Sequence, residues 1–523
     1  MEKSKLIKLG ISVIVFLLIW LLPTTAFGVE GLTVVEQRVI AIFALAAVMW
    51  IFEPIPIWGT SVVIMVLMLL TTSDSMFCFL NDHLSIKEMA SKLGITAESD
   101  ALLKEAVEKA MKGSTFYDGE KIPILSAKSI MAAFADPTVM LFMGGFVLAI
   151  AATKYRFDAT LARTILKPFG TKPKYVMLGF LTVTALLSMF MSNTATAAMM
   201  IAILTPVLAH MGESDDKGRV GLALSIPVAA NIGGIGSPIG TPPNVVAVGW
   251  LEKAGINISF GSWMVVMVPV AALILFIAWV FLNKKFPCKQ EKIEVTIEGD
   301  VDKSPKAWVV YITFGVTILL WVFGKELLGV NANVVALIPF TVFCITGVFE
   351  KKDLGKIDWD VLWLVAGGFA LGVGLEGKIG PEIINEDGKA EILSMSKHIV
   401  KAIPFDSWPT LLIIIGSGVL CLVMSTFMSN SATAALLIPI FVAMAKGMGE
   451  QLAPYGGAVT LIVGLALSAS FAMSLPISTP PNAIAYSKGF IKQKDMVLVG
   501  IFVGIVSLII GYTVLFMFGN LLA

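Results

Sequence analysis

Met191–Ala198 reads Met-Ser-Asn-Thr-Ala-Thr-Ala-Ala and Met428–Ala435 reads Met-Ser-Asn-Ser-Ala-Thr-Ala-Ala, one phrase written twice in a very apolar chain. Each copy is followed by Thr-Pro-Pro-Asn, at Thr241–Asn244 and Thr479–Asn482, so Met and Thr stand 50 residues apart in one half and 51 in the other. Spacing held that closely argues for duplication of a fold, with one site built from two halves. Polar, helix-breaking residues at corresponding places in two apolar halves are the signature of broken helices meeting near the bilayer midplane, as in secondary transporters.

The rest of the chain agrees with a membrane setting. Of 523 residues, 57% are hydrophobic and 14% charged, with a mean hydropathy of +0.87, about half the charge of a soluble protein. Net charge is +1 and there is no long basic run, which leaves nucleic-acid binding nothing to rest on. Cys78, Cys288, Cys344 and Cys421 lie far apart, so neither a disulfide framework nor a metal cluster is expected. Lys3, Lys5 and Lys8 before the apolar run Leu9–Leu22 also describe a secretory signal, but a retained first span fits the crossing count better.

Apolar stretches of about 20 residues can each cross the bilayer. They fall near 9–27, 36–53, 57–78, 130–153, 262–282, 307–324, 331–349, 360–376 and 495–520. The repeated phrases occupy hairpins at 176–210 and 408–447, each entering and leaving on one side. Each hairpin is followed by a crossing broken at its Pro-Pro, at 219–254 and 456–492. The expected fold is an all-α polytopic membrane protein with eleven transmembrane helices and two re-entrant hairpins. The N-terminus is then cytoplasmic and the C-terminus external. Lys and Arg collect on the inner side, for example at Lys154, Arg156, Arg163, Lys284, Lys285 and Lys351, as the positive-inside rule requires. Five crossings per half form an inverted repeat, so the hairpins enter from opposite faces. The boundaries drawn are 1–172 for four scaffold helices, 173–282 for the first hairpin and broken helix, 283–402 for a cytoplasmic linker and further scaffold helices, and 403–523 for the second hairpin and broken helix. An external insertion, 81–129, reads as a two-helix cap, with Ser85 and Glu88 as a capping box and Gly113 as a stop.

At the hairpin tips, Ser192, Asn193 and Thr194, and likewise Ser429, Asn430 and Ser431, stand where one helix ends and the next begins. Helix N-termini expose unpaired amides and positive dipole charge, so two tips could each hold one carboxylate of a small dianion. Neither phrase nor either Thr-Pro-Pro-Asn contains Arg, Lys or His. Sodium, ligated by unwound carbonyls and by Ser and Asn oxygens, supplies the missing positive charge in this reading. Ser188 and Ser425 lie one turn before a motif Ser on the same face and are further candidate ligands. The glycine pairs Gly144-Gly145 and Gly367-Gly368 read as close-packing contacts, and His83, His210 and His398 as solvated histidines at segment ends.

The paired Ser-Asn-Thr and Thr-Pro-Pro-Asn motifs, in this order over most of the chain, resemble the divalent-anion/sodium symporter family, which includes the sodium-coupled di- and tricarboxylate carriers of solute carrier family 13. The resemblance implies a homodimer whose transport domain slides across a scaffold, an elevator motion. It implies one sodium site at Ser188, Ser192 and Asn193 with backbone near Gly240. A second is implied at Ser425, Ser429 and Asn430 with backbone near Ser478 and Thr479. Asn193, Thr194, Asn430, Ser431 and Pro480 would face the carboxylates. Two positions depart from the commonest family pattern: Ser431 replaces the usual Thr, and Ser425 stands where Thr is frequent. The implied activity is sodium-coupled import of a C4 to C6 di- or tricarboxylate such as succinate, malate, fumarate or 2-oxoglutarate across the cell membrane. The alternatives are a sodium-independent exchanger, which calls for a fixed cation beside the tips, and a sodium/sulfate symporter. An enzyme is not expected, because the sequence has no Gly-x-Ser-x-Gly, no His-Glu-x-x-His and no paired acids within the spans.

Overall fold

A computed structural model describes residues 3–82, 84–97, 99–211, 216–295, 301–384, 390–402 and 408–522. Among them, ten helices are long and apolar enough to cross a membrane. The chain forms two compact units, Met1–Asp136 with Trp363–Ser407, and Pro137–Leu362 with Trp408–Ala523.

In the first unit, helices Lys3–Leu21, Val34–Phe52 and Ile57–Thr72 follow one another, and the second packs on both of the others. Three consecutive polar residues at the start of Val34–Phe52 point three ways, because successive helical side chains are about 100° apart. Gln37 donates to the Ile19 and Trp20 carbonyls at 3.0 and 3.2 Å, holding the end of the first helix. Arg38 donates to the Thr71 carbonyl at 3.0 Å and lies between the Trp20 and Tyr117 rings. Glu36 accepts from the Thr33 amide at 2.9 Å and meets His398 Nδ1 at 2.9 Å. His398 is therefore buried and paired, which corrects its reading as solvated. Its partner lies 362 positions away, where no local pattern reveals it. His210 is exposed as expected, and His83 lies outside the described residues.

The insertion holds the expected helices, Ile86–Leu93 with the Ser85/Glu88 capping box and Asp100–Ala110, ahead of Gly113 at φ +73°. It also holds an antiparallel strand pair, Ser114–Tyr117 with Glu120–Pro123, so the two-helix reading was incomplete. Asp118 and Gly119, both at positive φ, make the tight turn that an Asp-Gly dipeptide favours. A second pair, Glu382–Ile384 with Ala390–Ile392, precedes Met395–Ala402. The described residues are thus helical with two short antiparallel strand pairs, rather than all-α throughout.

The second unit carries both copies of the repeated phrase. The first hairpin is Pro173–Ser188 and Asn193–His210, followed by Asp216–Gly234 and Pro242–Lys253. The second is Thr410–Phe427 and Asn430–Met448, followed by Gly457–Ser470 and Pro480–Ser487. At each of these places the chain runs helix, interruption, helix. Every residue from Val220 to Gly234 and from Val459 to Ser470 is buried, as expected of helices apolar on all sides that form a core. By contrast, Thr410–Phe427 and Gln493–Phe518 expose Leu412, Val423, Phe427, Ile505 and Ile509, apolar faces suited to lipid. Glycine permits the closest crossings: a Cβ on Gly144 would lie 2.1 Å from the Ala336 carbonyl oxygen, and one on Gly367, in the first unit, 2.4 Å from Ser61 Cβ. These are the close-packing contacts that small residues provide between membrane helices.

Candidate functional site

Each tip is a helix start fixed by its own sequence. Ser192 and Ser429 are the N-caps of Asn193–His210 and Asn430–Met448. In both copies, the serine one turn before the motif donates forward to the motif asparagine. Ser188 Oγ meets Asn193 Oδ1 and the Ala230 carbonyl oxygen, the latter at 2.8 Å. Ser425 Oγ meets Asn430 Oδ1 at 2.8 Å and the Ala469 carbonyl oxygen at 3.0 Å. Both serines are fully buried, and both asparagines half-buried. Each hairpin is thereby tied to the broken helix of its own half.

The breaks are stitched by the asparagine of Thr-Pro-Pro-Asn. Asn244 Nδ2 donates to the Gly234 and Ser237 carbonyls at 3.1 and 2.8 Å, and Asn482 Nδ2 to those of Met473 and Leu475 at 2.8 and 2.9 Å. An amide that donates to two carbonyls fixes which of its atoms is nitrogen. Thr-Pro-Pro-Asn thus holds an unwound stretch in one shape, the proline ending the ladder and the asparagine bonding the freed carbonyls. Gly234 leaves room for the tip: a Cβ there would lie 2.9 Å from Asn193 Nδ2 and 3.0 Å from the Gly240 carbonyl oxygen. Ser188, Asn193 and Gly240 are therefore gathered around one point. In the second half, Ser478 Oγ donates to the Thr426 carbonyl at 2.8 Å, beside Ser425 and Asn430.

The two halves interlock. Asn193–His210 packs on Pro480–Ser487, and Asn430–Met448 on Pro242–Lys253, so each hairpin's returning arm lies against the other half's broken helix. Asn231, 3% exposed, donates at 3.2 Å to both Thr479 Oγ1 and Asn482 Oδ1, joining one break to the other. Sequence reading passed over Asn231. The available signal was a lone side-chain amide in the apolar run 220–235.

A cavity of about 350 Å³ opens at the first tip, lined by Ser192, Thr194, Thr153, Lys154, Lys356 and Asp358, with Phe146 and Ile150. Its size fits a small organic ligand. Two lysines thus stand near a tip whose own sequence has no cation, a correction that the fold makes by bringing residues 154 and 356 to residue 192. Both are engaged by buried Asp353, Lys154 at 2.7 Å and Lys356 at 2.8 Å, and Lys154 also donates to the Val348 carbonyl at 2.8 Å. Burial pushes the Asp353 carboxyl up, but the two ammonium groups outweigh it and hold the carboxyl well below its usual range. With Asp358 also on the wall, the cluster is close to neutral. Thr194 and Pro480 are exposed and Ser431 half-buried, while Thr479 is buried and caps its helix.

A duplicated pair of hairpins and broken helices, with oxygen-rich interruptions gathered in one unit, defines a secondary transporter of the broken-helix type. The chain belongs to the sodium:sulfate symporter family, whose transmembrane region it matches over residues 3–523. Among its relatives, an uncharacterized transporter of Haemophilus influenzae is 33% identical over 76% of this chain and 84% of its own length. The sodium-dependent high-affinity dicarboxylate transporter 3 of Caenorhabditis elegans is 30% identical over 76% of each chain. The sodium-dependent dicarboxylate transporter SdcS of Staphylococcus saprophyticus is 29% identical over 74% of this chain and 77% of its own.

Proposed function

We propose that this chain is a sodium-coupled symporter that imports a C4 to C6 di- or tricarboxylate. The observation that carries this reading is the repeated Ser–Asn clasp, Ser188 with Asn193 and Ser425 with Asn430, each set beside a break stitched by Asn244 or Asn482. Neutral hydroxyl, amide and carbonyl oxygens are ligands for a hard monovalent cation and supply no positive charge of their own. Sodium-dependent dicarboxylate transport in two of the relatives supports the choice of cargo.

In this reading one sodium is held by Ser188, Ser192, Asn193 and the Gly240 carbonyl. The other is held by Ser425, Ser429, Asn430 and backbone at Ser478 and Thr479. The dianion lies between Ser192, Asn193 and Thr194 on one side and Ser429, Asn430, Ser431, Thr479 and Pro480 on the other. Two sodium ions neutralise a dianion, so inward drive from the membrane potential needs a third, each contributing ~2.3 kcal/mol per 100 mV. The same proposal includes eleven crossings, hairpins that re-enter from opposite faces, an elevator motion in a homodimer, and a cell-membrane location with the N-terminus inside.

Lys154 and Lys356 favour a second reading, sodium-independent exchange, since fixed cations could replace sodium. Their pairing with Asp353, with Glu350 3.7 Å from Lys154 and Asp358 on the same wall, speaks against it, because lysines balanced by nearby carboxylates have little charge left for a substrate. Uptake of labelled succinate into proteoliposomes decides between them. A sodium gradient should drive accumulation, and equal uptake after potassium replaces sodium would exclude symport.

A further inference from the structure

We infer that Asn231 is a positioning residue that couples the two halves of the site, so that an ion bound at the first clasp organises the second break. The inference rests on the sodium-symport reading and assigns a role to a residue outside both repeated motifs.

A chain of hydrogen bonds runs from one tip to the opposite break. Ser188 Oγ faces two acceptors, Asn193 Oδ1 and the Ala230 carbonyl oxygen, but a hydroxyl has one proton to give. When Asn193 Oδ1 turns to a cation, that proton goes to Ala230. The next residue is Asn231, whose amide holds Thr479 Oγ1 and Asn482 Oδ1, both at 3.2 Å. Asn482 in turn holds the Met473 and Leu475 carbonyls of the second break. The hydroxyl's choice between two acceptors is the two-state element that energetic coupling requires.

Among the described residues the mirror-image connection is missing. Ser425 bonds the Ala469 carbonyl oxygen as Ser188 bonds that of Ala230, so Ser470 holds the position that corresponds to Asn231. Its hydroxyl bonds its own helix at the Ala466 carbonyl, 3.0 Å away. Asn244 Oδ1, the counterpart of Asn482 Oδ1, is buried with no partner among the described residues. An orphaned buried acceptor in one half and a satisfied one in the other point to a link built in one direction only. A purely structural amide at position 231 would satisfy Asn482 equally well, but it would not make the second half respond to the first.

The test is sodium titration of succinate uptake by the full-length protein in proteoliposomes. Asn231→Ser copies the residue of the other half. It should lower the Hill coefficient for sodium and raise the half-saturating concentration by about 2- to 30-fold, with the change in half-saturation and not in the rate at saturating sodium. Ser470→Asn, which leaves Asn231 intact, should give the opposite change by supplying a donor to Asn244 Oδ1. Wild-type Hill coefficient and half-saturation in Asn231→Ser would overturn the coupling, as would Ser470→Asn without effect if Asn231→Ser does not fold. A wild-type protein whose uptake ignores sodium would instead sink the symport reading, and the coupling with it.

Discussion

The two halves of the site share a plan but differ in what their hydroxyls are bonded to. In the second half, Ser429 accepts from the Ala432 amide at 3.1 Å and Thr479 from the Asn482 amide at 3.3 Å, so both cap their own helices. In the first half, Ser192 and Thr241 occupy the same cap positions and make no side-chain cap bond. Asn482 Oδ1 has a partner, whereas Asn244 Oδ1 has none among the described residues. The polar groups of the second half are thus bonded, Asn482 Oδ1 by Asn231 of the first, while in the first half Ser192 makes no cap bond and lines a cavity together with Thr194. The two clasps share one geometry, and the halves differ in which of their oxygens are bonded.

The largest effects should come from the clasps. Asn193→Ala or Asn430→Ala removes a group that touches both ion and anion in the proposed site. At about 1.5–3 kcal/mol for a hydrogen bond to a charged partner, either change should cut succinate uptake roughly 10- to 150-fold, with thermal unfolding in detergent unchanged. Uptake within twofold of wild type in either variant would break the symmetry of the two clasps.

The serine caps separate the halves next. Ser429→Ala should cost about 1 kcal/mol through loss of a helix cap and lower the unfolding temperature. Ser192→Ala loses no such bond, and should weaken uptake while leaving that temperature alone. Equal unfolding temperatures for the two variants would mean that the difference in capping has no energetic weight.

The lysine cluster should matter less. Lys356→Ala leaves Lys154 on Asp353 and should reduce uptake only a few-fold while sodium dependence remains, whereas a shift to sodium-independent loss would revive the exchanger reading. The Asp353 carboxyl is depressed, so its contribution is complete above its unfolded-state value and fades only as pH falls through the lower folded one. Uptake measured across neutral pH should therefore show no inflection from it. Ser431→Thr should have the smallest effect on total uptake, leaving it near wild type while changing the ratio of succinate to citrate uptake by about tenfold, the low end of what one methyl group decides in a pocket. An unaltered ratio would show that position 431 does not shape the substrate.

Much of this could be read in the sequence because duplication repeats its signals. Two copies of Ser-Asn and two of Thr-Pro-Pro-Asn at matched spacing located both tips and both breaks, whereas one copy alone reads as helix glue or a kink. The strand pair at Ser114–Tyr117 and Glu120–Pro123 went unread although Asp118-Gly119 announces it, because short helical patterns on either side dominate the window. Other features were invisible for a physical reason. Glu36 finds His398, Lys154 finds Asp353, and Asn231 finds Asn482 only after helices distant in sequence are packed together. Nothing near any of these residues in the chain announces its partner.

The central claim, that both clasps hold one dianion together with sodium, is tested most directly by calorimetric titration of succinate into the purified protein and its Asn193→Ala and Asn430→Ala variants. The expected result is binding by the wild type in sodium but not in potassium, and by neither variant. Undiminished binding by Asn430→Ala, or binding by the wild type in potassium, would contradict it.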